Sequence, residues 1–195
     1  MDQNPKVGAA RGEWGMCKTK SLVANLANLS ELENKYRNDN IIAIGTVKGI
    51  YRLKAIKQAG GFDKCIKGAS EDLDLSYRIW RNGWLLSKNQ SIIYQRWRTT
   101  WKDLWKWYSW WGYGEHYRKH KFQNLVILWR EVPILRALIS GLRQASIAYN
   151  ETHLKISFLL PFLFFYRASA WWFGFLKSHK DAYGHKIKTE SSCVL

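Results

Sequence analysis

Cysteine and acidic residues are both scarce in this sequence. Its 195 residues hold three Cys, at positions 17, 65 and 193. These are too few and too irregularly spaced for a disulfide framework or a zinc–cysteine site, so a reducing compartment is expected. The opening stretch MDQNPKVGAARGE lacks the apolar core of a signal peptide, which predicts no secretion. Cys193, third from the end, misses the prenylation position by one place, so no anchor of that type is expected. There is no P-loop, no Gly-x-Gly-x-x-Gly, no internal repeat and no low-complexity segment.

Basic residues and tryptophan, by contrast, are abundant. Lys and Arg total 31 against 15 Asp and Glu, a formal charge of +16, and there are 12 Trp. Such a charge attracts a polyanion: nucleic acid, an anionic membrane surface or a phosphorylated substrate. Residues 1–95 carry +6 and residues 96–195 carry +10, and nine of the Trp fall in the second part. Charge and indole rings concentrate together, as they do at a membrane–water interface. With 47% hydrophobic residues the chain has enough apolar material for a core.

The first part reads as alternating α and β. Lys6–Ala10 is a short strand candidate, and Leu22, Leu26, Leu29 and Leu32 follow helical spacing, predicting a helix over Thr19–Tyr36. Ile41–Val47 reads as a buried strand, Leu53–Gln58 as a short helix stopped by Gly60-Gly61, and Ile92–Tyr94 as a strand. Ser70 is a candidate N-cap for a helix over Glu71–Arg81, with acids in its first turn and Asn82-Gly83 at its end. The second part reads as helical. Trp97, Trp101, Trp105, Tyr108 and Trp111 advance by four, four, three and three, one stripe of a helix over Thr100–His120. Pro133 is placed to open another helix. Ile156–Leu176 is an apolar stretch of 21 residues that holds only one charge, Arg167, and its length suits a membrane span. Pro161 and Arg167 leave an interfacial helix or a re-entrant hairpin equally open.

The sharpest local feature is Gly60-Gly61-Phe62-Asp63, followed by Glu71-Asp72-Leu73-Asp74. Paired glycines permit left-handed backbone and close approach of a ligand. Carboxylates clustered at a helix start are equally explained by the helix dipole, and Asp74 with Arg78 makes an ordinary i,i+4 pair. On the residues alone a well-capped surface helix is the favoured account of this segment.

The runs GTVKGIYRLKAIKQAGGFD and SEDLDLSYRIWRNGW, in that order and spacing, resemble the second half of the family 2 glycosyltransferases with the GT-A fold, over residues 6 to about 118. The resemblance implies an α/β chain. Residues 1–95 would be the acceptor-side part of a partial GT-A domain, 96–122 an amphipathic Trp-rich and basic interfacial helix, and 123–195 a helical membrane-associated region. It implies inverting transfer of a sugar from a nucleotide-sugar donor to a lipid-linked or polysaccharide acceptor at the cytoplasmic face of a membrane. Asp72 takes the place of the general base and Glu71 that of its partner, while Gly60, Gly61 and Asp74 fall on the acceptor side. Gln95, Arg96 and Arg98 fall where many members carry Gln-x-x-Arg-Trp, with Thr99 replacing the Trp; all three are candidate binding residues, Arg96 and Arg98 for the diphosphate. Trp97, Trp101, Trp105 and Trp111 would lie in the head-group region among membrane lipids. The family implies a divalent Mg or Mn ion, but its Asp-x-Asp ligand motif belongs upstream of the matched region. Asp72-Leu73-Asp74 spells that motif in the wrong place, so the chain reads as part of an enzyme and no metal site is assigned.

Other constellations are weaker. His116 and His120 are spaced i,i+4, but no Glu follows His116 and the sequence offers no third ligand, so surface histidines are expected. Cys17 and Cys65 read as buried small residues. The competing functional class is a non-enzymatic basic protein of the membrane surface or of nucleic acid. Rings that follow a helix argue against stacking on single strands, and no nucleic-acid partner is expected.

Overall fold

The computed structural model describes residues 4–17, 19–32, 44–122 and 133–183. They form a mixed α/β structure, a small three-stranded sheet with six α-helices, and the helices predominate.

Strand β1, Val7–Gly15, is central. It pairs antiparallel with β2, Gly49–Tyr51, and parallel with β3, Leu85–Tyr94, giving the order β2-β1-β3. Strands β1 and β3 both exceed their sequence-based bounds. The Lys6–Ala10 strand runs on to Gly15, and Ile92–Tyr94 is only the end of a ten-residue strand. Val7, Ala9 and Ala10 are buried, whereas Leu85, Ile92 and Tyr94 stand exposed on β3.

The strand expected over Ile41–Val47 is not formed where it can be seen. Positions 41–43 lie outside the described residues, and Thr46–Lys48 is a 3-10 turn. The cause is tertiary: the Asp72 carboxylate takes the Thr46 N–H at 2.9 Å and bends the chain before β2 begins.

Helix α1, Leu22–Leu29, is shorter than expected because Ser21 caps it, its Oγ accepting from Ala24 N at 3.3 Å. Positions 33–36 of the expected helix lie outside the described residues. Helices α2, Leu53–Gln58, and α3, Glu71–Arg81, match their expected bounds. Helix α4, Trp101–Lys121, starts behind Thr100, whose Oγ1 accepts from Asp103 N at 3.1 Å. Helix α5, Pro133–Thr152, opens on its proline as expected. Helix α6, Leu160–Lys180, follows a 3-10 turn at Lys155–Leu159. Pro161 sits at its start, where a missing N–H costs nothing. Together with that turn it spans Lys155–Lys180, long and apolar enough by length and composition to cross a membrane.

Among the described residues three apolar clusters hold the elements together, the smallest of them Ala24, Ala27 and Trp97. Ala55, Ala59, Leu75 and Ile79 join α2 and α3 under the sheet. Val23, Leu26, Leu29, Leu104, Ala145, Ala148, Leu160 and Leu163 unite α1 with α4, α5 and α6. This last cluster therefore draws side chains from all three of the regions expected from sequence. Helices α4 and α6 run side by side and touch through glycine. A Cβ on Gly112 would fall 1.8 Å from the Trp171 carbonyl oxygen, and one on Gly174 would fall 1.8 Å from that of Ser109. Only backbone fits between them.

Candidate functional site: carboxylates at the start of helix α3

Helix α3 runs back along the sheet into β3, so its N-terminus lies toward the end at which β1 finishes at Gly15 and β3 at Tyr94. In sheets with parallel strands, ligand sites gather outside the carboxyl ends of those strands. Glu71 and Asp72 stand there.

Asp72 is only 8% exposed. Its Oδ2 accepts from Thr46 N at 2.9 Å and from Thr46 Oγ1 at 3.4 Å, and its Oδ1 accepts from Leu73 N at 2.8 Å. Each carboxylate oxygen has a second lone-pair site, so the group is oriented by backbone without being saturated. Gly45 lies against it, and a Cβ at that position would come within 3.3 Å of Oδ2. Glu71 contrasts with it. Its Oε2 is buried with no hydrogen-bond partner, and burial, with the Asp72 charge beside it, pushes its pKa up. Behind the pair, Ser76 is fully buried and its Oγ accepts from Ile44 N at 3.0 Å. Tyr51 OH donates to the Ile44 carbonyl and lies 3.3 Å from Ser76 Oγ. Burial pushes that phenol up to about 12, so it stays a neutral donor.

Ser70 does not cap α3. It takes a left-handed backbone, φ 87°, and its Oγ donates to Glu115 Oε2 at 3.1 Å. A partner on α4 has outcompeted the local helix start, and the Asp72 side chain takes the Leu73 N–H instead.

Asp74, completely buried, points the other way. Arg78 binds its Oδ2 through Nε at 2.8 Å and Nη2 at 2.5 Å, and Lys121 reaches its Oδ1 at 2.8 Å. Lys121 also bonds Asp63 Oδ2 at 2.6 Å, and Arg78 Nη1 donates to the Ala59 carbonyl. Asp74 thus ties the glycine turn, α3 and the end of α4 into one ion network, and its carboxylate does not converge with that of Asp72. Gly60 and Gly61 have φ of +80° and +75°, conformations that a side chain resists, and nothing lies within 4 Å of where a Cβ on Gly61 would point. The turn is open on that side.

The other expected residues are spread more widely. Gln95 is half-buried, and Arg96 and Arg98 are exposed just beyond β3. Among the described residues no hydrogen bond or ion pair joins them to Glu71 or Asp72. The Arg98 guanidinium lies 5.5 Å from the centre of the Trp107 ring and lines an open groove of about 620 Å³ with Asp103, Lys106 and Trp110. Trp97 is buried against Trp14 and Trp107. Trp101 and Trp105 pack on Tyr166 of α6, and Trp111 packs on Trp107.

Three contributors escaped the sequence reading. Glu115 and Lys121 reach across from α4. Lys48 stands 4.7 Å over the Trp14 ring at the same sheet end, its pKa lowered by burial. Only Lys48 had a visible signal, its place inside GTVKG. Two cysteine expectations also change. Cys17 and Cys65 are half-buried rather than buried, and Cys65 is disulfide-bonded while Cys17 is free. The histidines change too: His116 is fully buried, not on the surface. Its neighbours in space are Phe175, His120 and His179.

Comparison with known proteins found no matching family model, no matching curated protein and no matching solved structure.

Proposed function

We propose that this chain is the acceptor-side part of a membrane-associated, inverting GT-A glycosyltransferase of family 2. In this reading it moves a sugar from a nucleotide-sugar donor to a lipid-linked or polysaccharide acceptor. The observation that carries the reading is the Glu71–Asp72 pair at the carboxyl end of the sheet. One carboxylate is oriented by Thr46 and Leu73, and the other keeps a buried oxygen without a partner.

The chemistry follows from those positions. An acceptor hydroxyl is a weak nucleophile, and Asp72, held rigid by backbone N–H groups, removes its proton as it attacks the anomeric carbon. The bond to the nucleoside diphosphate breaks on the opposite face, which inverts the centre. Glu71 keeps the local charge adjustable: with its pKa raised, it holds a proton to higher pH than an ordinary glutamate. The open side of the Gly60-Gly61 turn admits the acceptor. Exposed Arg96 and Arg98, with Lys48, supply positive charge for the departing diphosphate. Membrane residence is part of the proposal. Its support is the apolar Lys155–Lys180 segment and the exposed Ile139, Leu142, Phe158, Phe162 and Phe173.

Transfer assays on membranes from cells producing the whole gene product, with a panel of labelled nucleotide sugars, test this reading. Asp72→Asn should leave membrane levels unchanged and lower turnover by about 10²–10⁴-fold, the range for loss of a general base. Activity near that of the parent protein would reduce the pair to a helix start and favour the basic surface-binding alternative.

A further inference from the structure

We propose that His116, His120 and His179 form a binding site for a divalent transition metal of the zinc class, which fastens the end of α4 to the end of α6. The inference is independent of the glycosyltransferase reading. Sequence spacing offers only the His116–His120 pair. The fold brings a third imidazole from 59 positions beyond His120, and one ring nitrogen from each residue lies within 4.8 Å of one from each of the others.

Two of the three spacings are those of a coordination shell. His116 Nε2 lies 3.2 Å from His120 Nε2 and 3.3 Å from His179 Nδ1. A tetrahedral zinc about 2.0–2.1 Å from each nitrogen sets its ligands about 3.3 Å apart, which is the spacing seen in both pairs. On the far side of the buried ring, His116 Nδ1 is 3.1 Å from Ser178 Oγ, itself fully buried. With Nδ1–H donating to that hydroxyl, the Nε2 lone pair is turned toward the other two rings. Such an outer hydrogen bond is what fixes the tautomer of metal-binding histidines.

The surroundings suit a cation. His120 and His179 lie in the last turns of α4 and α6, where the negative ends of both helix dipoles point. Phe175 packs edge-to-face on His116, ring centres 4.8 Å apart, closing one side. Of the basic groups on α4, Arg118 is engaged with Glu115 and Lys121 with Asp63 and Asp74, while Lys119 Nζ stands 6.0 Å over the Phe175 ring. His179 is exposed and His120 half-buried, so the site has an entry path and room for water as a further ligand.

The test uses the untagged full-length chain in mild detergent, stripped with chelator and titrated with cobalt(II). We expect one equivalent to bind with the intense visible bands of a tetrahedral site, to be displaced by zinc, and zinc to raise the melting temperature. Ser178→Ala should weaken cobalt binding by roughly 10–100-fold, as loss of an outer partner does, and His120→Ala or His179→Ala by more. Both histidine variants remove accessible rings, and circular dichroism confirms that each is folded. His153→Ala, on the turn between α5 and α6, should change nothing. Absence of tetrahedral bands at saturating cobalt, or bands that persist equally in His179→Ala, would overturn the proposal.

Discussion

The α-carbon of Gly114 rests against the carbonyl of Ala69, so closely that a Cβ there would fall 1.8 Å from the carbonyl oxygen. Gly68 meets the same glycine, its own Cβ position 3.0 Å from Gly114 N. The loop that leads into Glu71 and Asp72 therefore meets α4 backbone to backbone at Gly114, beside the Ser70–Glu115 hydrogen bond. Gly114→Ala should push the loop off the helix. We expect a loss of about 1–3 kcal/mol, the usual range for overpacking, seen as a lower denaturation midpoint. Under the proposed function activity should fall further than stability, because the displaced loop carries the carboxylates. An unchanged midpoint would mean that loop and helix do not touch as described.

Asp74 is the buried centre of an ion network, and its removal should be among the most damaging substitutions. Asp74→Ala leaves Arg78 and Lys121 without their shared partner, and breaking a buried pair typically costs about 3–5 kcal/mol. Lys121→Met should cost much less, since Arg78 still neutralises the carboxylate through two hydrogen bonds. Chemical denaturation of both variants checks the ordering. Equal losses would show that the lysine, not the arginine, does the compensating.

Glu71 links stability to pH. Its pKa is raised in the folded chain, so its protonated form is favoured by folding. That contribution is fully present below the ordinary value of 4.5 and is lost as pH rises through the raised folded value. Above that raised value the ionised carboxylate, with one oxygen buried, opposes folding. Glu71→Gln should thus melt higher than the parent at neutral pH, with the gap closing as the solution is acidified toward and below 4.5. Thermal melts across that range decide it, and a gap that widens on acidification would reverse the sign.

Local signals in the sequence were enough for what local forces decide. The acids of the first turn and Asn82-Gly83 marked both ends of α3, and Thr100 marked the start of α4. What escaped was set across the chain. Ile41–Val47 had the composition of a strand, but an Asp72 carboxylate 26 residues beyond Thr46 turned its last part into a 3-10 turn. Ser70 had the identity of a cap, but Glu115 took its hydroxyl. No periodicity in α4 announced that His179 would join His116 and His120, because the packing of α4 on α6 depends on two glycines 62 positions apart. At the candidate site, Asp72, Glu71, Gly60 and Gly61 were readable as a motif. Lys121 and Glu115, which hold that motif in place, were not.

Composition and packing put different residues forward for a membrane face under the proposed function. The tryptophan stripe was the natural interfacial candidate, yet Trp101 packs on Phe162 and Tyr166, and Trp105 on Tyr166 and Phe173. Such pairs add about 0.5–1.5 kcal/mol each beyond the area they bury. Ile139 and Leu142 on α5 and Phe158 before α6 are, by contrast, 66%, 63% and 63% exposed. If the chain binds a bilayer through its helical part, these side chains meet the acyl region and gain the transfer energy, about 1.5–3 kcal/mol each when fully buried. Replacing all three with Ser should weaken flotation with anionic vesicles while leaving the melting temperature close to that of the parent. Trp101→Ser with Trp105→Ser should do the reverse, lowering the melting temperature first because it unpacks α4 from α6. Release from vesicles by the tryptophan pair at unchanged stability would return the membrane face to the stripe.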